Sequence, residues 1–182
     1  LLIGTGRGLV GYSAQGGWYT PPLARAIGPV EIRALVFVGP TAYVGTQAGL
    51  LKVESPHEGG SVRRFGEAHG LAGDGIFALH LAPNGDLYIG QPEGMGIWRA
   101  GAPAPVAARS GGAPANTGVL SFCRDREGVL WIGTSSGLYR QTGNTYERLG
   151  EAEGLSNTDI SSVMQDREGS LWIGTLRGGL NR

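Results

Sequence analysis

Apolar residues along the chain fall in short runs, each broken within a few positions by Gly, Pro, Asn or Asp. No window sustains the 3.6-residue period of a helix of ten or more residues, so short strands joined by tight turns are expected. The pattern is clearest between Val119 and Asp159. Val119 to Asp125 predicts a strand, Arg126-Glu127-Gly128 a turn, and Val129 to Thr134 a second strand. Gly137 to Gln141 predicts a third strand and Thr145 to Leu149 a fourth, with Thr142-Gly143-Asn144 turning between them. A long connection then runs from Glu151 to Asp159. Strands this short are stable only with neighbours.

The run Leu130-Trp131-Ile132-Gly133-Thr134 has close copies: Leu2-Ile3-Gly4-Thr5, Tyr43-Val44-Gly45-Thr46, Tyr88-Ile89-Gly90-Gln91 and Trp172-Ile173-Gly174-Thr175. The glycines are separated by 41, 45, 43 and 41 residues. That spacing suits one four-stranded propeller blade per repeat. With the period-two geometry of a strand, Leu130 and Ile132 face one side of the sheet and Trp131 the other. Both sides are apolar, as stacked sheets require. Tyr43, Tyr88, Trp131 and Trp172 are therefore expected in the blade core, with Gly45, Gly90, Gly133 and Gly174 allowing close backbone approach.

The fold class expected is all-β: a propeller segment of about four four-stranded blades. It divides into a partial blade at 1–29, blades at 30–74, 75–117 and 118–158, and a partial blade at 159–182. Closed rings of six to eight such blades need roughly 250 to 340 residues, so a larger ring is expected, of which this chain is a piece. A terminal sheet left uncovered would favour association through its apolar face.

Composition narrows the function. The 34 glycines and 10 prolines supply turns without a low-complexity tract. Fifteen basic residues balance fifteen acidic ones, which offers no field for nucleic acid. No stretch approaches the roughly 18 to 20 apolar residues that span a bilayer, so no membrane contact is expected within the segment. The lone Cys123 excludes an internal disulfide and multi-cysteine metal sites, and its apolar surroundings suggest packing.

Several motifs read as structure. Asp125-Arg126-Glu127-Gly128 and Asp166-Arg167-Glu168-Gly169 lack the alternating oxygen ligands of a calcium loop and fit hairpin turns. Gly6-Arg7-Gly8-Leu9-Val10-Gly11 matches a dinucleotide fingerprint in letters only, since no βαβ unit surrounds it. His57, His69 and His80 lack zinc-site spacing; structural or solvated roles are expected, with His80 in an innermost strand. Trp18, Trp98, Tyr12 and Tyr139 fit blade packing or outer-strand surface. No metal or cofactor is expected.

The segment Val163 to Thr175, followed by Gly178-Gly179-Leu180-Asn181-Arg182, resembles the two-component regulator propeller repeat. Phe122 to Arg140 is a second good copy, and Glu153-Gly154-Leu155-Ser156-Asn157 resembles the loop between its blades. The repeats ending at Thr46 and Gln91 are degenerate. The resemblance implies a periplasmic sensor propeller of a bacterial inner-membrane receptor, ahead of a histidine kinase or diguanylate cyclase output. It transfers no catalytic residue and implies no enzyme activity for this segment. The partners it implies are a small molecule or oligosaccharide, the remaining blades of the same protein, and a second copy in a dimeric receptor.

Ligands of propellers usually bind at the mouth formed by loops between second and third strands and loops leading into first strands. The first set offers Arg7, Gln47, Glu93 and Arg177; the second offers His69, Asp74 and Asn157. Their amide, acid and guanidinium groups suit hydrogen bonding to a sugar or peptide. Two other readings are a lyase or hydrolase with a metal-assisted mouth, and a scaffold for protein partners.

Overall fold

The computed structural model describes residues 1–56, 58, 60–108 and 111–182. The chain forms five consecutive antiparallel sheets. Blade 1 contains β1 (Leu2–Thr5), β2 (Gly8–Ser13) and β3 (Gly17–Tyr19), and is followed by helix α1 (Pro22–Ile27). Blade 2 contains β4 (Ile32–Val38), β5 (Thr41–Thr46), β6 (Gly49–Glu54) and β7 (Val62–Phe65). Blade 3 contains β8 (Ala78–Leu81), β9 (Leu87–Gln91), β10 (Gly94–Trp98) and β11 (Val106–Ala107). Blade 4 contains β12 (Val119–Arg124), β13 (Leu130–Thr134), β14 (Gly137–Thr142) and β15 (Thr145–Leu149). Blade 5 contains β16 (Ile160–Gln165), β17 (Leu171–Thr175) and β18 (Leu180–Asn181).

The expectation of about four four-stranded blades is thus corrected to five blades, of which three have four strands. Blade 1 starts with the strand that carries the repeated tetrad, so it counts as a blade although it shows three strands. Blade 4 follows the hydrophobic pattern to within a residue or two at each strand end. Helix α1 was not anticipated. It has only six residues; Pro22 favours its first turn, Leu23 and Ile27 are buried, and Gly28 ends it at φ +74°.

Four apolar clusters fill the four spaces between blades, and their membership is periodic. Val44, Ile89, Ile132 and Ile173 each belong to the cluster shared with the preceding blade. Tyr43, Tyr88 and Trp131, one position earlier, belong to the cluster shared with the following blade. Alternation along one strand therefore joins three sheets, the strand's own and one on each side. Trp98 adds to this packing between blades 2 and 3, its ring 5.3 Å from Tyr43 and 4.5 Å from Phe65. Tyr139 packs between blades 3 and 4.

The tetrad glycine explains how blades nest. A Cβ on Gly90 would lie 2.6 Å from the Val119 carbonyl oxygen of blade 4, and one on Gly133 would lie 2.8 Å from Ile160 Cγ2 of blade 5. Beside these glycines the register shifts between Val119 and Ser121 and between Ile160 and Ser162, and likewise between Ile32 and Ala34 in blade 2. Such bulges bend the innermost strand, and Ile32, Val119 and Ile160 at its start pack against the preceding blade.

The outermost faces differ from these interfaces. Tyr12 and Trp18 meet edge to face at 5.2 Å on blade 1, and Trp18 is 67% exposed. Met164 and Leu180 are exposed on blade 5 at 56% and 64%. Among the described residues no helix is long and apolar enough to cross a membrane.

Candidate functional site: the mouth of the blades

The loops between second and third strands and the connections into first strands emerge at one end of the antiparallel blades. Their local chemistry repeats. The Thr134 hydroxyl donates to the Gly137 carbonyl at 2.7 Å and accepts from the Ser136 amide at 3.1 Å. Thr5, Thr46 and Thr175 close the equivalent turns. Blade 3 departs from this rule. Its Gln91 is fully buried, accepts from the Ala72 amide at 3.2 Å and donates to the Gly73 carbonyl at 2.5 Å. One side chain thereby fastens the connection between blades 2 and 3.

That connection accounts for two of the expected site residues. His69 Nδ1 accepts from the Gly66 amide at 3.3 Å, capping a short turn at Glu67–His69. Glu153 does the same between blades 4 and 5, its carboxylate accepting from the Gly150 amide at 2.6 Å. Asp74 Oδ1 accepts from the Glu67 amide at 3.0 Å. Asn157 Oδ1 accepts from the Asp159 amide at 3.0 Å in a local turn. His69, Asp74 and Asn157 therefore hold loops in shape.

Arg7, Gln47, Glu93 and Arg177 are exposed at the same end, one on each of four blades. Glu93 lines a cleft with a volume of about 550 Å³, shared with Glu67, Leu71, Met95, Pro114 and Asn116. The Asn116 amide donates to the Glu93 carbonyl at 3.0 Å, and Asn116 itself is left-handed at φ +54°. Asn tolerates that conformation better than most residues. Glu67 and Asn116 were not singled out in the sequence; the first lies in a turn and the second in a connection without a repeat signature.

His80 sits at the interface of blades 3 and 4, its ring 6.4 Å from Tyr88 and 6.3 Å from Phe122. Burial, reinforced by the Arg124 charge, holds its pKa below the ordinary histidine value. His57 lies outside the described residues. Among the described residues no group of three or more His, Cys, Asp or Glu side chains comes together to hold a metal.

Radially stacked antiparallel sheets of this kind define a β-propeller. Residues 113–136 and 154–177 match the family model described as the two component regulator propeller. The chain is similar to the extracellular domain assigned to a hybrid two component system, BT3049, of B. thetaiotaomicron. The TM-score is 0.77 at 20% identity, over 98% of this chain and 24% of that one. A second such domain, BT4673, gives a TM-score of 0.60 at 17% identity, over 98% of this chain and 30% of that one. A virginiamycin B lyase from Staphylococcus aureus has the same fold at a TM-score of 0.62 and 10% identity, over 97% of this chain and 62% of its own. The chain thus spans less than a third of either of these two extracellular domains. No curated protein shows significant sequence similarity to it.

Proposed function

We propose that this propeller segment is a non-catalytic ligand-sensing region of a bacterial receptor, facing the periplasm or exterior. In this reading it passes ligand occupancy to a kinase or cyclase module of the same receptor. The reading is supported by the two family-model matches at 113–136 and 154–177, together with structural likeness to extracellular domains of two-component systems. The ligand is a small molecule or oligosaccharide held at the mouth, where Arg7, Gln47, Glu93 and Arg177 have side chains outside the loop-forming hydrogen bonds. The partners are the remaining blades of the protein and, in the assembled receptor, a second copy.

The carrying observation is the division of labour at the mouth: His69, Asp74 and Asn157 maintain loops, while among the described residues the side chains of Arg7 and Arg177 enter no hydrogen bond or ion pair. Ligand contact with loops from adjacent blades would change how those blades pack, which is the differential contact that signalling requires. Screening glycans and peptides against the protein and its Arg7→Ala, Glu93→Ala and Arg177→Ala variants tests this. A ligand whose binding falls in at least two variants supports it; ligands bound equally well by all variants refute the mouth assignment. The lyase neighbour establishes a shared fold and no shared chemistry.

A further inference from the structure

We propose that the cleft between blades 3 and 4, at the end opposite the mouth, binds a small hydroxylated oxyanion, either a carboxylate or a phosphate. Its volume is about 460 Å³, and its wall includes Tyr88, Arg99, Arg124, Gln141, Asn144 and Tyr146. Asn84 and Gly128, in turns between first and second strands, and Gly143, between third and fourth, form its rim and fix it at this end.

Register brings the polar groups together. Arg124 lies two residues after Phe122 on β12, and Gln141 two after Tyr139 on β14, so each shares a face with an aromatic residue packed toward blade 3. Arg124 pairs with Leu130 and Leu130 with Gln141, which sets the two polar side chains at one level of the sheet. Arg99 approaches from blade 3, its Nη1 donating to Asp86 Oδ2 at 2.6 Å while the side chain remains 59% exposed. No carboxylate lines the cleft among the described residues.

Two groups in this wall are unmatched. Arg124 Nη1 donates to the Gly128 carbonyl, whereas Arg124 Nε and Gln141 Oε1 are buried without a hydrogen-bond partner among the described residues. Buried polar groups in folded proteins are rarely left so, and each calls for an explanation. One is a donor on a cation and the other is a neutral acceptor. A ligand that satisfies both needs an anionic oxygen for the guanidinium and a hydroxyl for the amide oxygen. The hydroxyls of a neutral polyol can meet both atoms but bring no charge to the guanidinium, where a charge-assisted hydrogen bond is roughly twice as strong as a neutral one, and a cation is repelled by both arginines. Tyr146 contributes a hydroxyl that stays protonated, its pKa pushed up to about 12 by burial and then by Tyr88, against the opposing charge of Arg99.

Isothermal titration of the protein with gluconate, inorganic phosphate and sorbitol tests the assignment. One of the anions is expected to bind at a single site while sorbitol does not; the tighter anion distinguishes carboxylate from phosphate. Loss of a charge-assisted hydrogen bond in Arg124→Gln should weaken binding by at least about tenfold. Gln141→Glu, nearly isosteric, should weaken it as much by repulsion, with an unchanged circular dichroism spectrum. Arg7→Ala and Arg177→Ala, at the mouth, should leave the affinity unchanged. The proposal is overturned if sorbitol binds as well as the anions, if no anion binds at millimolar concentration, or if only the mouth variants weaken binding. The ligand screen at the mouth stands independently of every one of these results.

Discussion

The Trp131 indole N–H donates to Asp125 Oδ2 at 2.8 Å, and the bond recurs in the next blade between Trp172 and Asp166 at 2.6 Å. The other carboxylate oxygen of each Asp accepts a backbone amide across the turn, from Val129 and Ser170 respectively, both at 2.8 Å. One side chain thus closes the hairpin and orients the aromatic ring, which for Trp131 packs between blades 4 and 5. Trp172, expected in the blade core, instead lies on the uncovered face of blade 5, paired with the exposed Met164. The motif Asp-Arg-Glu-Gly followed by a tryptophan is a single device.

Asp125→Ala should therefore cost more than an ordinary turn substitution. Two hydrogen bonds to a charged acceptor are lost and a half-buried indole N–H is orphaned, which amounts to about 2 to 4 kcal/mol. Asp125→Asn, which keeps one acceptor oxygen, should cost roughly half as much. Urea denaturation measures both, and equal midpoints for Asp125→Ala and the parent would show that the bond carries no stability.

Gly90→Ala and Gly128→Ala separate two reasons for glycine. At Gly90 the added methyl would meet the Val119 backbone oxygen at 2.6 Å, so blade 4 must shift; the cost is about 2 kcal/mol or more. At Gly128 the methyl has open space but the residue sits at φ +86°, and the cost is about 1 kcal/mol. Thermal melts that placed Gly128→Ala below Gly90→Ala would reverse the assignment.

The blade architecture was legible because its cause is local. Period-two alternation in Leu130-Trp131-Ile132 specifies two apolar faces, and the repeated glycine specifies nesting; both are written within five residues. The mouth was less legible. His69 and Asp74 have the same chemistry whether they meet a ligand or cap a turn, and only the amides of Gly66 and Glu67 decide between these roles. The unmatched Arg124 and Gln141 lie on different strands of one face, and nothing in their sequence spacing reports that they share a cleft.

Gln91→Thr restores the residue found at this position in the other repeats and should nonetheless destabilise the protein. Threonine can close its own turn but cannot reach Ala72 and Gly73, so the connection between blades 2 and 3 loses both anchors. A loss of about 1 to 3 kcal/mol is expected, with faster amide exchange at Ala72. Unchanged exchange there would mean that the connection is held by other contacts.

The exposed faces of blades 1 and 5 should drive association of the 182-residue chain. Met164→Glu and Trp18→Glu each place a charge on one such face, and like charge or a desolvated charge opposes docking. Sedimentation should show a concentration-dependent increase in mass for the parent and a smaller one for either variant. A parent that stays monomeric at high concentration would contradict this use of the faces.

Stability should fall as the pH drops from 7 toward 5, with His80 as a defined contributor. Burial first, and then the Arg124 charge, lower its pKa in the folded state. Between that lowered value and the ordinary histidine value of about 6.5, the unfolded chain binds a proton that the folded chain refuses, so stability rises with pH across this window. Asp86 acts in the same direction at lower pH. Burial would raise its pKa, but hydrogen bonds from Ala100, Arg99 and Asn84 outweigh that and leave it lowered, so stability is lost as this carboxylate protonates. His80→Gln should flatten the slope between pH 7 and 5 while leaving the steeper loss at lower pH intact. Denaturation midpoints measured across that range decide the matter: an unchanged slope in the variant would assign the acid sensitivity to other groups.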